Sequence, residues 1–133
     1  LLVFAYLYSH KRSVLLVDEP DAHLEILRQK QVYVLLRDIA HTRTGDKGNR
    51  STLSVIAYDK NDFDLLEQHL SAERVQAHFA GTVHGPVERY ALPQLGALNF
   101  VMHNALGGGV TRSLALDAHG KCLSAHLLTF VIE

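Results

Sequence analysis

The spacing of hydrophobic positions changes several times along this chain, and each change marks an element. Residues 2–9, an apolar stretch, predict one or two helical turns, broken by the polar His10-Lys11-Arg12-Ser13. SVLLV, residues 13–17, has no polar alternation, which predicts a strand covered on both faces, and Pro20 stops it. DAHLEILRQKQ predicts a helix, with Leu24 and Leu27 on one face, Asp21 placed to cap it, and Glu25 and Arg28 at a supporting spacing. QVYVLLRDIA, residues 31–40, fits two periods. Leu24, Leu27, Leu35 and Ile39 would prolong the helix, whereas Val32, Val34 and Leu36 alternate, and the β-branched and aromatic content favours a strand.

After Ala40 the polar run HTRTGDKGNR predicts a loop. STLSVIAY alternates as a strand, DKND turns, and DFDLLEQHL and SAERVQAHF predict two helical pieces separated at Ser71, a helix entrance. GTVHGP reads as a loop and VERYAL as a strand. LGALNFVMHNAL predicts a helix with Leu95, Leu98, Met102 and Leu106 on one side, ended by Gly107, Gly108 and Gly109. VTRSLALD and CLSAHLLTFVIE predict two strands joined by a turn at Ala118-His119-Gly120-Lys121. The order β-β-α-α-β-α-β-β from residue 32 predicts an α+β domain, its sheet mostly antiparallel and its helices on one face, behind an N-terminal helix-strand-helix appendage.

Size and charge narrow the classes. A chain of 133 residues with 47% hydrophobic content can bury one core with an appendage. Thirteen Lys and Arg against fourteen Asp and Glu leave no global field for nucleic acid or an anionic membrane, so neither is expected as a partner. Cys122, the single cysteine, excludes an internal disulfide framework and fits a reducing compartment. The opening LLVFAYLYSHKRS lacks a starting methionine, stops short of a membrane span and shows no cleavable signal, which leads us to expect a cytoplasmic protein truncated at its start.

Asp18 and Glu19, at the end of an apolar run, are disposed to hold magnesium and to act on water. SVLLVDEPDAHLE resembles the Walker B region of ABC-type and RecF/SMC-like ATPases, and residues 1–30 read as an ATPase-like fragment in which Asp18 and Glu19 are the remnant. No GxxxxGK[ST] occurs, and HGKC at 119–122 lacks the upstream glycine and the magnesium-binding hydroxyl, so autonomous ATP hydrolysis is not expected.

Two later constellations carry candidate chemistry. In the predicted loop, Gly45 and Gly48 allow a tight path among Arg43, Asp46, Lys47, Asn49 and Arg50, where backbone amides and a cation would receive a phosphate or carboxylate. The plainer alternative is that Asp46 and Asn49 satisfy their own turn while the cations stay solvated. On the predicted helix, Asn99 and His103 stand one turn apart, His103 able to move a proton and Asn99 to orient a substrate; Arg89 and Arg112 would join them if their strands are neighbours. His41, His69, His78, His84, His119 and His126 are scattered without a metal-ligand spacing, and no metal or cofactor is implied.

RDIAHTRTGDKGN, AERVQAHF and VERYALPQLGALNFVMHNALGGGVTRSLALDAHGK, in that order between about Val34 and Glu133, closely resemble the small domain at the C-terminus of acyclic terpene utilisation protein A, which also occurs alone. The resemblance implies a ferredoxin-like sandwich over 31–133 and a setting in the catabolism of acyclic terpenoids or branched acyl-CoA compounds. It assigns no catalytic residue. Local chemistry nominates Arg43, Lys47, Asn49, Arg89, Gly107, Gly108, Gly109 and Arg112 for ligand binding, and Asp46, Asn99 and His103 for catalysis.

The leading expectation is an accessory or ligand-binding domain that takes an anionic acyl ligand or docks to a catabolic enzyme. Lyase, hydratase or hydrolase chemistry on an acyl compound is one alternative; a structural protein-interaction module is another. Pairing of copies through a sheet edge would make a homo-oligomer. One groove joining Lys47, Arg89, Asn99 and the glycine run would favour a small ligand, and a flat surface would favour a protein partner.

Overall fold

A two-residue strand, β1 (Val34–Leu35), and one helical turn, α1 (Leu36–Ile39), stand where the alternation of Val34 and Leu36 predicts continuous strand. The computed structural model describes residues 34–132, within the second of the two units, Leu1–Val32 and Tyr33–Glu133, into which the chain divides. The reason for the turn is packing: Leu36 and Ile39, three apart, are both buried. Asp18, Glu19 and the expected N-terminal appendage lie outside the described residues.

The polar run 41–50 is strand, not loop. β2 (Ala40–Lys47) pairs antiparallel with β3 (Arg50–Ala57), and Gly48-Asn49 forms the two-residue turn between Lys47 and Arg50. Gly48 has φ 61°, a left-handed value at the first turn position that suits the twist of a hairpin and is cheap for glycine. Among the described residues β2 is an edge strand with one open face, which accounts for its polarity: charged side chains keep such an edge from pairing with other chains.

Between β3 and the next strand come a 3-10 turn at Lys60–Asp62, then α2 (Phe63–His69) and α3 (Ala72–His78). Asp59 accepts the Asn61 N–H at 2.9 Å to start the turn. Ser71 Oγ accepts the Arg74 N–H at 3.2 Å, so Ser71 is the helix entrance that its sequence position indicates.

β4 (Val87–Leu92) follows as expected, but LGALNFVMHNAL is not a helix: β5 (Ala97–Met102) is the strand between β3 and β4 in an all-antiparallel sheet of order β2-β3-β5-β4. Leu98, Phe100 and Met102 are fully buried while Asn99 and Val101 are half-exposed, a period of two. Residues 103–122 run as turns, so VTRSLALD is not a strand, and of CLSAHLLTFVIE only Val131–Ile132 is. Asp117 accepts the backbone N–H groups of Lys121 at 2.8 Å and Cys122 at 2.7 Å and leads into α4 (Leu123–Leu127), after which β6 (Val131–Ile132) pairs with β1. A side chain that binds the backbone four and five residues ahead favours a helical start over a hairpin.

α2 touches β5, α3 touches β4 and α4 touches β2, all on the face that carries Leu53, Val55, Leu98, Phe100 and Met102. Leu66, Leu70, Val75, Phe79 and Leu127 complete that core without measurable exposure, and each such side chain contributes about 1.5–3 kcal/mol relative to exposure. Helices on one face of an antiparallel sheet define a ferredoxin-like α+β domain. Among the described residues no helix is long and apolar enough to cross a membrane.

Candidate functional site

The hairpin turn and the glycine run, far apart in sequence, are clasped together by Asn49. Its Oδ1 accepts the backbone N–H groups of Leu106 and Gly108, both at 3.1 Å, and its Nδ2 donates to Asn104 Oδ1 at 3.0 Å. The backbone carbonyls of Asn49 and Gly48 accept the N–H groups of Ala105 at 3.1 Å and Val110 at 3.3 Å. Gly109, at φ 113°, lies so near that a Cβ there would sit 3.4 Å from the Gly48 carbonyl. Asn49, Gly107, Gly108 and Gly109 therefore converge as the ligand-binding reading requires, but the Asn49 amide is committed to holding the loop.

Beside the clasp is a cavity of about 290 Å³, bounded by the turn at 81–84, the loop 105–120 and the first residue of α4. Ala105, Leu106 and Leu123, all buried, give it an apolar floor. Thr82, His84 and Ser113 bring polar groups to its lining, and no described residue takes a hydrogen bond from the His84 ring or the Thr82 hydroxyl. Asp117 also lines it with both oxygens occupied by backbone N–H groups. Burial acts to raise its pKa, but the N–H groups of Cys122 and Lys121 prevail and hold the carboxyl below its ordinary value. A Cβ at Gly120 would come within 2.7 Å of Leu106 and 2.9 Å of Leu123, so the wall is built around that glycine. Of the residues nominated from sequence, Gly107 lines this cavity; Arg112 is adjacent, next to Ser113 and with its Cβ 4.0 Å from the Cβ position at Gly108.

The other face of the sheet is open among the described residues. One register row crosses it as Arg43, Ser54, Asn99 and Tyr90, and Ser54 Oγ donates to Asn99 Oδ1 at 2.9 Å. Strand alternation adds Lys47 and Arg50 to this face. Arg43, Lys47 and Arg50 are exposed, and their side chains make no hydrogen bond or ion pair with any described residue. At its β4 side, Glu88 joins two partners: His103 Nε2 lies 2.6 Å from Oε1, and the Tyr90 hydroxyl donates to Oε2 at 2.5 Å. Those bonds, Tyr90 first and His103 second, hold the Glu88 carboxyl below its ordinary value, and Glu88 in turn raises the Tyr90 hydroxyl.

The expected catalytic set does not come together. Asn99 and His103 share the open face, but the alternation of β2 turns Asp46 to the opposite side, where Lys121 Nζ binds its Oδ2 at 2.6 Å. Lys121 is the main cause of the lowered Asp46 pKa. Arg89 is likewise on the helical side, its Nη1 donating to the carbonyls of Glu67 at 2.7 Å and Leu70 at 3.2 Å. It satisfies the last carbonyls of α2 and lies apart from Lys47 and Asn99, so no single groove joins the residues nominated from sequence. Residues missed there are Glu88, Tyr90, Thr82, His84 and Ser113. Glu88 and Tyr90, two apart on a predicted strand, were detectable as a same-face pair; the cavity residues come from three separate segments.

Fold and site together describe a ferredoxin-like domain with a small cavity and a sheet face that is open among the described residues. The family model described as "AtuA ferredoxin-like domain" matches residues 34–133, and the chain belongs to that family. The match begins beyond Asp18 and Glu19. No significant match is found among curated proteins or solved structures.

Proposed function

We propose that this chain is an accessory recognition domain that takes a short acyl compound into the cavity beside the glycine run, in service of acyclic terpenoid or branched acyl-CoA catabolism. The observation that carries the reading is the cavity itself. Its apolar floor of Ala105, Leu106 and Leu123 suits a branched hydrocarbon chain, while Thr82, His84 and Ser113 supply the few polar groups that orient a ligand. Its volume of about 290 Å³ is at the low end for ligand sites, which favours a short chain. Arg112, exposed and next to the lining residue Ser113, is the cation that would receive the anionic end. Lyase, hydratase or hydrolase chemistry has less support, because Asp46 and His103 belong to opposite faces of the sheet.

Calorimetric titration of the full chain with short branched carboxylates and their CoA thioesters tests this. Ala115 lines the cavity but is exposed, so Ala115→Trp fills the space without disturbing the core, and binding is expected to disappear. Arg112→Ala is expected to weaken binding about tenfold, the loss of one charge-assisted contact. Absence of binding, or equal binding by Ala115→Trp, overturns the proposal.

A further inference from the structure

We propose that the open face of the sheet is a docking surface for the acidic, carboxylate-bearing surface of a second, different protein. This inference uses none of the cavity residues and stands independently of the ligand reading. Three cations on this face, Arg43, Lys47 and Arg50, make no hydrogen bond or ion pair with any described residue; Arg50 acts on Glu88, and Lys47 on Asp46, through charge alone. Glu88 is the acidic side chain that the register places there, and His103 and Tyr90 already engage both its oxygens. Three cations against one carboxylate leave the face positive, although the chain as a whole carries −1. Charge of one sign gathered on one face of a nearly neutral protein steers an oppositely charged partner and sets its orientation.

The chemistry around those cations favours a protein over a polyanion. Ile56 and Val101 are half-buried between the cationic and Glu88 sides, Tyr90 is 50% exposed and Leu92 42% exposed. Arginine and tyrosine around a small apolar centre match the composition of protein interfaces. A second copy of this chain is the competing occupant, since Asp59, Asp62, Asp64, Glu67 and Glu73 lie in the segment that supplies α2 and α3. Sheet against helical layer is a heterologous contact, however, which leads to rings or open chains and lacks the self-complementarity of a closed dimer.

Amide-resolved NMR titration of the full chain is the test, with three probes: a 14-residue peptide with glutamate at every second position and leucine, tyrosine and serine between, a dT12 oligonucleotide, and vesicles containing phosphatidylserine. The peptide is expected to shift amides of β2, β3 and β5, to bind more tightly than the other two, and to lose at least tenfold in affinity in 0.5 M salt. Arg43→Glu/Lys47→Glu/Arg50→Glu, three exposed changes, is expected to abolish the shifts while the amide spectrum stays folded. The proposal is overturned if the peptide does not bind, if the oligonucleotide or vesicles bind more tightly, if the triple variant binds equally, or if sedimentation shows self-association that the triple variant removes.

Discussion

Asn49 accepts the backbone N–H of Leu106 at 3.1 Å across 57 positions of sequence, so the tip of the hairpin holds the loop that floors the cavity. The same oxygen receives Gly108 N–H, and the same side chain donates to Asn104. One amide thereby satisfies groups in a loop that has no ladder of its own.

Asn49→Ala strands the part-buried Leu106 donor and removes the Gly108 and Asn104 contacts. A loss of about 1–3 kcal/mol is expected, the cost of leaving such groups unsatisfied. Urea unfolding with an unchanged slope measures it. Asn49→Asp keeps the acceptor and should recover part of the stability, whereas a recognition role for Asn49 alone would leave stability unaltered in both variants.

Arg89→Met keeps the apolar stem and removes the donor to Glu67 and Leu70. The helix loses its C-terminal cation, and a stability loss of about 1 kcal/mol is expected. Acyl-ligand affinity should not change, because Arg89 is not among the residues lining the cavity. A drop in affinity at unaltered stability would return Arg89 to the binding site.

Acid should weaken the fold partly through Glu88. Its folded pKa lies below the ordinary 4.5 because Tyr90 and His103 bind the carboxylate. Its contribution is therefore complete above the unfolded value and is lost as pH falls through the folded one. Stability measured from pH 6 to pH 2 should decline less steeply in Glu88→Gln than in the parent chain. Asp46, lowered mainly by Lys121, has the same sign, so Asp46→Asn should reduce the slope further in the double variant. Equal slopes in all these chains would show that the Glu88 and Asp46 bonds are not maintained in solution.

Phe100 discriminates strand from helix in the segment 95–106. A helix that buries Leu95, Leu98, Met102 and Leu106 turns Phe100 outward, whereas β5 buries it completely. Phe100→Ala is expected to cost about 3–5 kcal/mol. Val101→Ala, on the open face, should cost well under half of that in the same denaturation series.

Several elements are legible without coordinates. STLSVIAY alternates and VERYAL reads as a strand, DFDLLEQHL and SAERVQAHF carry helical spacing, and Ser71 announces its own cap. LGALNFVMHNAL misleads because Leu95, Leu98, Met102 and Leu106 satisfy a helical face while Leu98, Phe100 and Met102 satisfy a strand. HTRTGDKGNR misleads because an edge strand with a solvated face has the polarity of a loop, although its Gly-Asn pair is a hairpin signal. VTRSLALD alternates too, yet Leu114 and Leu116 are fully exposed and no strand pairs with them among the described residues. Among the nominated site residues, Arg43, Lys47, Asn99 and His103 share the open face, while Asp46 and Arg89 lie on the other side.

The sequence by itself determined the α+β class, the antiparallel bias, two of the strands of the sheet and the helical pair, because hydrophobic periodicity and capping act over a few neighbouring residues. Only the tertiary structure decided that β5 is a strand, that Asn49 serves the glycine loop, and that Asp46 and Lys47, adjacent in the chain, serve opposite faces. Pairing partners supply hydrogen bonds from distant segments, and a pleated strand turns consecutive side chains apart. No local pattern contains either fact.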